Sequence, residues 1–141
     1  METGLHELLK EVVFTELERE GYHLYVEPAE PPSWRLQWRL YRPDIFGVLS
    51  NEVESLFVLV ECETNPRIRR IRGKISKIRR SLNIQKRLNE RHFLRLLLVI
   101  PSGMLRRVNC PELRKFWDIW IINPRGEIIH KIPRKEYTNA A

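Results

Sequence analysis

YRPDIFGVLSNEVESLFVLVECETNP, residues 41–66, decides how this chain is read. LFVLV (56–60) is a run of apolar and β-branched residues of the kind that forms a strand covered on both faces. It runs directly into Glu61-Cys62-Glu63. A short turn, SNEVES, separates it from DIFGVL, which starts after Pro43, where a missing N–H is tolerated. Two strands joined so closely are hairpin neighbours. Asp44, at the start of the first, then falls near Glu61, at the end of the second.

Side chains at i and i+2 share a face of a strand. Glu61 and Glu63 therefore point one way and Cys62 the other. If Asp44 lies across from Glu61, three carboxylates converge, and like charges so close raise one another's pKa or destabilise the sheet. A hard divalent cation relieves this, since Mg²⁺ takes carboxylate and backbone oxygens together with water. The backbone carbonyl of Cys62 is a further candidate ligand. An ion held there would polarise a phosphodiester and activate water.

Outward from this stretch, the elements alternate in type. HELLKEVVFTELEREGY (6–22) carries Leu8, Leu9, Val12, Val13 and Leu17 at helical spacing and ends at Gly21. YHLYVEP alternates as a strand. After the proline-rich PAEPPS, WRLQWRLYR alternates strictly, with Trp34 and Trp38 on one face and Arg35 and Arg39 on the other. Pro66 opens a helix whose stripe is Ile68, Ile71, Ile75, Ile78 and Leu82. FLRLLLVIP (93–101) is another buried strand. SGMLRRVNCPELRKF is a loop or short helix, and WDIWII and EIIHKI flank the turn sequence Asn-Pro-Arg-Gly as a terminal hairpin. The order predicts an α/β layered domain with a mixed sheet between helices. Residues 1–133 form one domain and 134–141 a flexible tail.

These residues carry a resemblance. Arg42-Pro43-Asp44, a hairpin, then Glu61-x-Glu63 ahead of a basic helix resembles the PD-(D/E)XK nuclease superfamily. The likeness spans roughly residues 6–100 and, in size and in the helix-Gly-aromatic start, is nearest to small archaeal Holliday-junction resolvases. It implies a restriction-endonuclease-like core, α-β-β-β-α-β, with the C-terminal β-hairpin added. It also implies that Asp44 and Glu61 bind Mg²⁺ or Mn²⁺ and that cleavage leaves a 5′-phosphate. Glu63 stands where the family usually has lysine. Some restriction enzymes are similar in carrying an acid there, and in other members the following helix supplies the lysine. Glu63 is then a second-metal ligand or positions water.

On the helix after Pro66, Lys74 lies about 70° from the centre of the isoleucine stripe and Lys77 about 130° away. Lys74 is therefore the candidate that reaches back to the carboxylates and stabilises phosphate charge. Related resolvases also use a first-helix glutamate, and Glu11 or Glu7 can match, with the spacing to Gly21 favouring Glu11.

The charge pattern points to a polyanion. The 141 residues carry a net +7. From Arg67 to Arg95 there are twelve Lys and Arg against one acid, Glu90, so the helix face lacks the mixed signs of an ordinary solvated surface. Arg67, Arg69, Arg70, Arg72 and Lys77 are the expected phosphate contacts, extended by Arg35 and Arg39. Trp34 and Trp38 are read as core or dimer contacts. Nothing reads as a base-specific motif, so recognition rests on backbone charge and shape.

No apolar run approaches a membrane span and no secretory signal precedes the first helix. The two cysteines and four histidines show no zinc or disulfide spacing. The expectation is a cytoplasmic, homodimeric, metal-dependent DNA endonuclease without membrane contact. A structure-selective preference and an RNA substrate both stay open. The alternatives are a catalytically inactive nucleic-acid-binding module of the same fold and a domain whose basic helix docks an acidic protein.

Overall fold

The computed structural model describes residues 4–28, 42–51, 55–81 and 92–135. Helix α1 (Gly4–Arg19) comes first, followed by β1 (His23–Val26), β2 (Ile45–Ser50) and β3 (Ser55–Cys62). Helix α2 (Ile68–Ser81) crosses to β4 (His92–Pro101). A single 3-10 turn (Leu105–Arg107) and the short α3 (Pro111–Arg114) lead to the hairpin of β5 (Trp117–Ile122) and β6 (Ile128–Ile132). The strand expected over 34–41, with Arg35, Arg39, Trp34 and Trp38, lies outside the described residues.

Among the described residues, six strands form one sheet in the order β1-β2-β3-β4-β5-β6. β1–β2, β2–β3 and β5–β6 are antiparallel, while β3–β4 and β4–β5 are parallel. The β3–β4 connection must therefore cross over a face of the sheet, and α2 is that crossover. This is the mixed, helix-flanked sheet of a restriction-endonuclease-like core.

Two cores explain the uninterrupted apolar strands. Val58, Val60, Leu97, Val99, Trp120 and Ile122 pack toward Leu9, Val13 and Leu17 of α1. Their neighbours Phe57, Leu59, Leu96, Leu98, Ile119 and Ile121 pack toward Ile71, Ile75 and Ile78 of α2. Each of β3, β4 and β5 is thus covered on both sides, so alternation in hydropathy vanishes and only the parity of the residue number tells the faces apart.

The boundaries follow from local chemistry. α1 ends where Gly21 takes φ +101°, letting the Tyr22 N–H reach the Leu17 carbonyl. α2 begins at Ile68, two residues after Pro66, and Ile68 and Leu82 of the expected stripe differ in standing: Ile68 is half-buried, and Leu82 lies outside the described residues. Arg134, expected in a loose tail, donates its backbone N–H to Asp118 Oδ1 at 2.7 Å, and the Lys135 N–H reaches the Arg114 carbonyl at 2.8 Å. No helix among the described residues is long and apolar enough to cross a membrane.

Candidate active site

The β2–β3 register pairs Ile45 with Val60, so the next step along each strand sets Asp44 against Glu61. The ladder slips by one residue here: the Asp44 N–H donates to the Val60 carbonyl at 3.0 Å. Asp44 Oδ2 accepts the Cys62 backbone N–H at 2.8 Å, which fixes the carboxylate against the end of β3. Glu61 and Glu63 are both buried, on the α2 side, while the Cys62 side chain packs with the α1 core.

From α2, Lys74 Nζ lies 3.0 Å from Glu61 Oε2 and 3.0 Å from Glu63 Oε2. The other Glu63 oxygen faces Arg70 Nε at 3.4 Å. Lys74 thus bridges the two glutamates. Among the described residues no three His, Cys, Asp or Glu side chains converge as a metal cage. The expected three-carboxylate cluster is in fact two overlapping pairs: Asp44 with Glu61, and Glu61 with Glu63 through Lys74. Both Glu63 oxygens face cations, so Glu63 anchors Lys74 and Arg70 at the end of β3.

Burial pushes the Glu61 carboxyl up to about 8, with the nearby Asp44 charge adding to the rise and Lys74 opposing it. Glu61 also shares a hydrogen bond with Asp44. Burial thus favours the protonated form of the Glu61 carboxyl. For Lys74, burial works against the charge, but Glu61 and Glu63 outweigh it and raise its pKa, so it stays cationic. Burial and the surrounding acids drive the Cys62 thiol well above its ordinary range, so the residue offers the site its backbone and no thiolate.

A divalent ion fits the donor set. Mg²⁺ needs only one or two carboxylates, completing its shell with waters and substrate phosphate. Asp44 and Glu61 are adjacent, and Asp44 is oriented by the Cys62 backbone N–H.

The opposite side of Asp44 is held by a clasp that no sequence pattern announces. Glu27, just past β1, has φ +43°, a conformation uncommon for a residue with a side chain. Its N–H donates to the Asp44 carbonyl at 2.8 Å. Its own carbonyl accepts Arg42 Nε at 2.9 Å and a second guanidinium nitrogen at 2.5 Å. Its carboxylate takes the nearly buried Lys10 ammonium at 3.4 Å. Arg42, adjacent to the proline of the motif, thus ties the backbone of Asp44 to the end of β1.

The first helix contributes differently from expectation. Glu11 is not brought to the cluster; it is exposed and lines a separate groove with Thr15 and Arg125. Glu7 is exposed and faces Lys10 at 3.8 Å. The residue that α1 does bring is His6, with Nε2 3.6 Å from Asp44 Oδ2. A helical phase set by Leu9, Val13 and Leu17 puts residue 6 on the same face and residue 11 off it, so the signal was present in the spacing.

A cleft of about 570 Å³ opens beside these groups, lined by His6, Glu63, Asn65, Arg67, Arg69 and Arg70. Arg67, just before α2, and Arg69, Arg70, Arg72 and Lys77 along it are all exposed, and Arg72 pairs with Glu112 of α3 at 2.6 Å. Arg95, part of the same run of basic residues in sequence, lies elsewhere: its odd number puts it on the α1 face, bonded to Asp118 at 2.7 Å and facing Glu20 at 3.5 Å.

Comparison with known proteins adds the fold and no more. No family model matches the chain, and no curated protein matches it. Among solved structures, an XisH family protein from Nostoc punctiforme superposes with a TM-score of 0.50 at 15% identity, covering 89% of this chain and 98% of its own. An fdxN element excision controlling factor protein from Anabaena variabilis gives 0.51 at 12% identity with the same coverage. The agreement extends over nearly the whole of both neighbours, so the sheet and its flanking helices are a shared architecture.

Proposed function

We propose that the protein is a divalent-metal-dependent DNA endonuclease, with Asp44 and Glu61 holding Mg²⁺ or Mn²⁺ and Lys74 as the positive group beside them. The observation that carries this reading is the Lys74 ammonium, 3.0 Å from Glu61 Oε2, where Glu61 is itself paired across the strands with Asp44. A half-buried lysine aimed at a pair of glutamates, one of which lines a cleft with three arginines, matches the charge of a phosphodiester and of the anion it becomes on attack.

When bound, the ion supplies Lewis acidity toward the phosphodiester and lowers the pKa of water. The chain does the rest. Asp44, fixed by the Cys62 N–H, and Glu61 present oxygens at the end of β3. Glu63 keeps the Lys74 head among them, and Lys74 donates hydrogen bonds to the oxygens where negative charge grows. Arg67, Arg69 and Arg70 hold flanking phosphates on the cleft wall. Attack of water on phosphorus breaks the bond to the 3′ oxygen and leaves a 5′-phosphate and a 3′-hydroxyl.

A second reading is favoured by two observations. Glu63 replaces the usual lysine, and no three-donor cage exists among the described residues. A binding module that has lost cleavage would look the same in these respects. Incubation with linear and branched DNA in Mg²⁺ or Mn²⁺ separates the two. The endonuclease cuts, and Asp44→Ala abolishes cutting while binding in EDTA persists. Intact DNA under every condition in which the wild-type protein binds it leaves the binding module.

A further inference from the structure

The connection SGMLRRVNCPELRKF (102–116) holds four basic residues and one acid. Its place in the fold makes that imbalance matter. β3 and β4 run parallel, so the chain leaves β4 at the same sheet edge where β3 delivers Glu61 and Glu63. The Glu63 N–H bonds the Val99 carbonyl at that edge, and the Ser102 N–H bonds the Ile122 carbonyl as the connection begins.

The segment is held in place from inside. Val108 and Leu113 are fully buried in the core beneath α2. It is also tied to the site from two sides. Arg107 donates to the side-chain oxygen of Asn65, which lines the cleft. Its one acid, Glu112, is taken by Arg72 of α2. What remains outward are Arg106, Arg107 and Lys115, all exposed, and no carboxylate among the described residues pairs with Arg106 or Lys115.

Resting on the nucleic-acid reading above, we infer that the β4–β5 connection is a second phosphate-backbone surface for duplex DNA, continuous with the start of α2 across the Asn65–Arg107 contact. Asn65 joins the two basic surfaces at the rim of the cleft. Duplex DNA presents a charge about every 1.7 Å of its axis, so a rod lying across the start of α2 and the connection beside it meets cations on both. Arginine forks on each surface suit phosphate oxygens.

The test is the affinity for a fluorescently labelled duplex, measured by anisotropy in EDTA over a range of KCl. Arg106→Ala with Lys115→Ala is compared with wild type and with Arg69→Ala on α2. Each phosphate that a variant no longer neutralises lowers the magnitude of the slope of log K against log salt by about 0.9. The double variant is expected to bind more weakly with a shallower slope and an unchanged melting temperature. Wild-type affinity and slope in the double variant, alongside weakened binding by Arg69→Ala, overturn this surface and leave the nucleic-acid reading standing. Wild-type behaviour in all variants overturns both.

Discussion

The Lys74 ammonium and the Glu63 carboxylate belong to different elements eleven residues apart, yet lie 3.0 Å from each other at the edge of the sheet. Glu63 occupies the position at which the resembled superfamily usually has lysine, and its partner is the lysine one element on. Glu63, just past the end of β3, and Glu61 within it hold the lysine that α2 brings.

Removing that cation leaves two buried glutamates without it. Breaking one side of a buried pair costs about 3–5 kcal/mol, so Lys74→Met is expected to lower the urea-unfolding free energy by about 3 kcal/mol and to cut cleavage about 100-fold or more. Lys74→Met combined with Glu63→Gln should regain much of the stability and none of the activity. A double variant as unstable as the sum of the two single losses would contradict the coupling.

Glu61 sets a pH dependence. Its carboxyl is raised from 4.5 to about 8 by burial first and then by Asp44, against the pull of Lys74. Between those values the folded chain keeps a proton that the unfolded chain releases. This contribution is complete below 4.5 and is lost as pH rises through 8. Metal-free protein should therefore melt at progressively lower temperature across that window, and Glu61→Gln should flatten the profile. Metal uptake releases the proton, so Mn²⁺ affinity measured calorimetrically should rise with pH through the same range. Identical melting profiles for wild type and Glu61→Gln would remove the basis for this.

Arg42 is expected to act through the backbone. Its two hydrogen bonds to the Glu27 carbonyl secure the turn whose N–H holds the Asp44 carbonyl. Arg42→Ala should weaken Mn²⁺ binding about 10-fold, the lower end of the effect of losing support behind a metal ligand. DNA affinity in EDTA should be unchanged. Arg42→Lys, which lacks the fork, should not restore metal affinity. Full recovery by lysine would argue for charge alone.

Gly47 tests the packing that sets Asp44 opposite Glu61. A methyl group there would meet Val58 at 2.7 Å and Leu24 at 2.8 Å, on the strands either side. Gly47→Ala is expected to cost about 1–3 kcal/mol, read as a lower melting temperature, with metal-dependent cleavage falling as β2 shifts. An alanine variant as stable as wild type would show that the strands give way freely.

Much of this was legible from residues 41–66. The apolar LFVLV ahead of Glu61, and a turn too short for anything but a hairpin, set the register that brings Asp44 across. The isoleucine spacing of α2 was enough to choose Lys74 over Lys77, since angle alone turns one toward the sheet. Three features were harder to see. His6 has no spaced partner in sequence, and only the phase of Leu9, Val13 and Leu17 brings it to Asp44. Glu27 adopts a left-handed backbone without the glycine that announces one. Arg95 sits in a run of basic residues, but strand parity sends it to the opposite face, where Asp118 and Glu20 receive it.

Anomalous scattering from a crystal soaked in Mn²⁺ is the most direct measurement. The expected result is a peak within coordination distance of Asp44 and Glu61, with Lys74 still against Glu63. A site without a peak at millimolar Mn²⁺, with Lys74 still spanning Glu61 and Glu63, would contradict a metal-dependent nuclease.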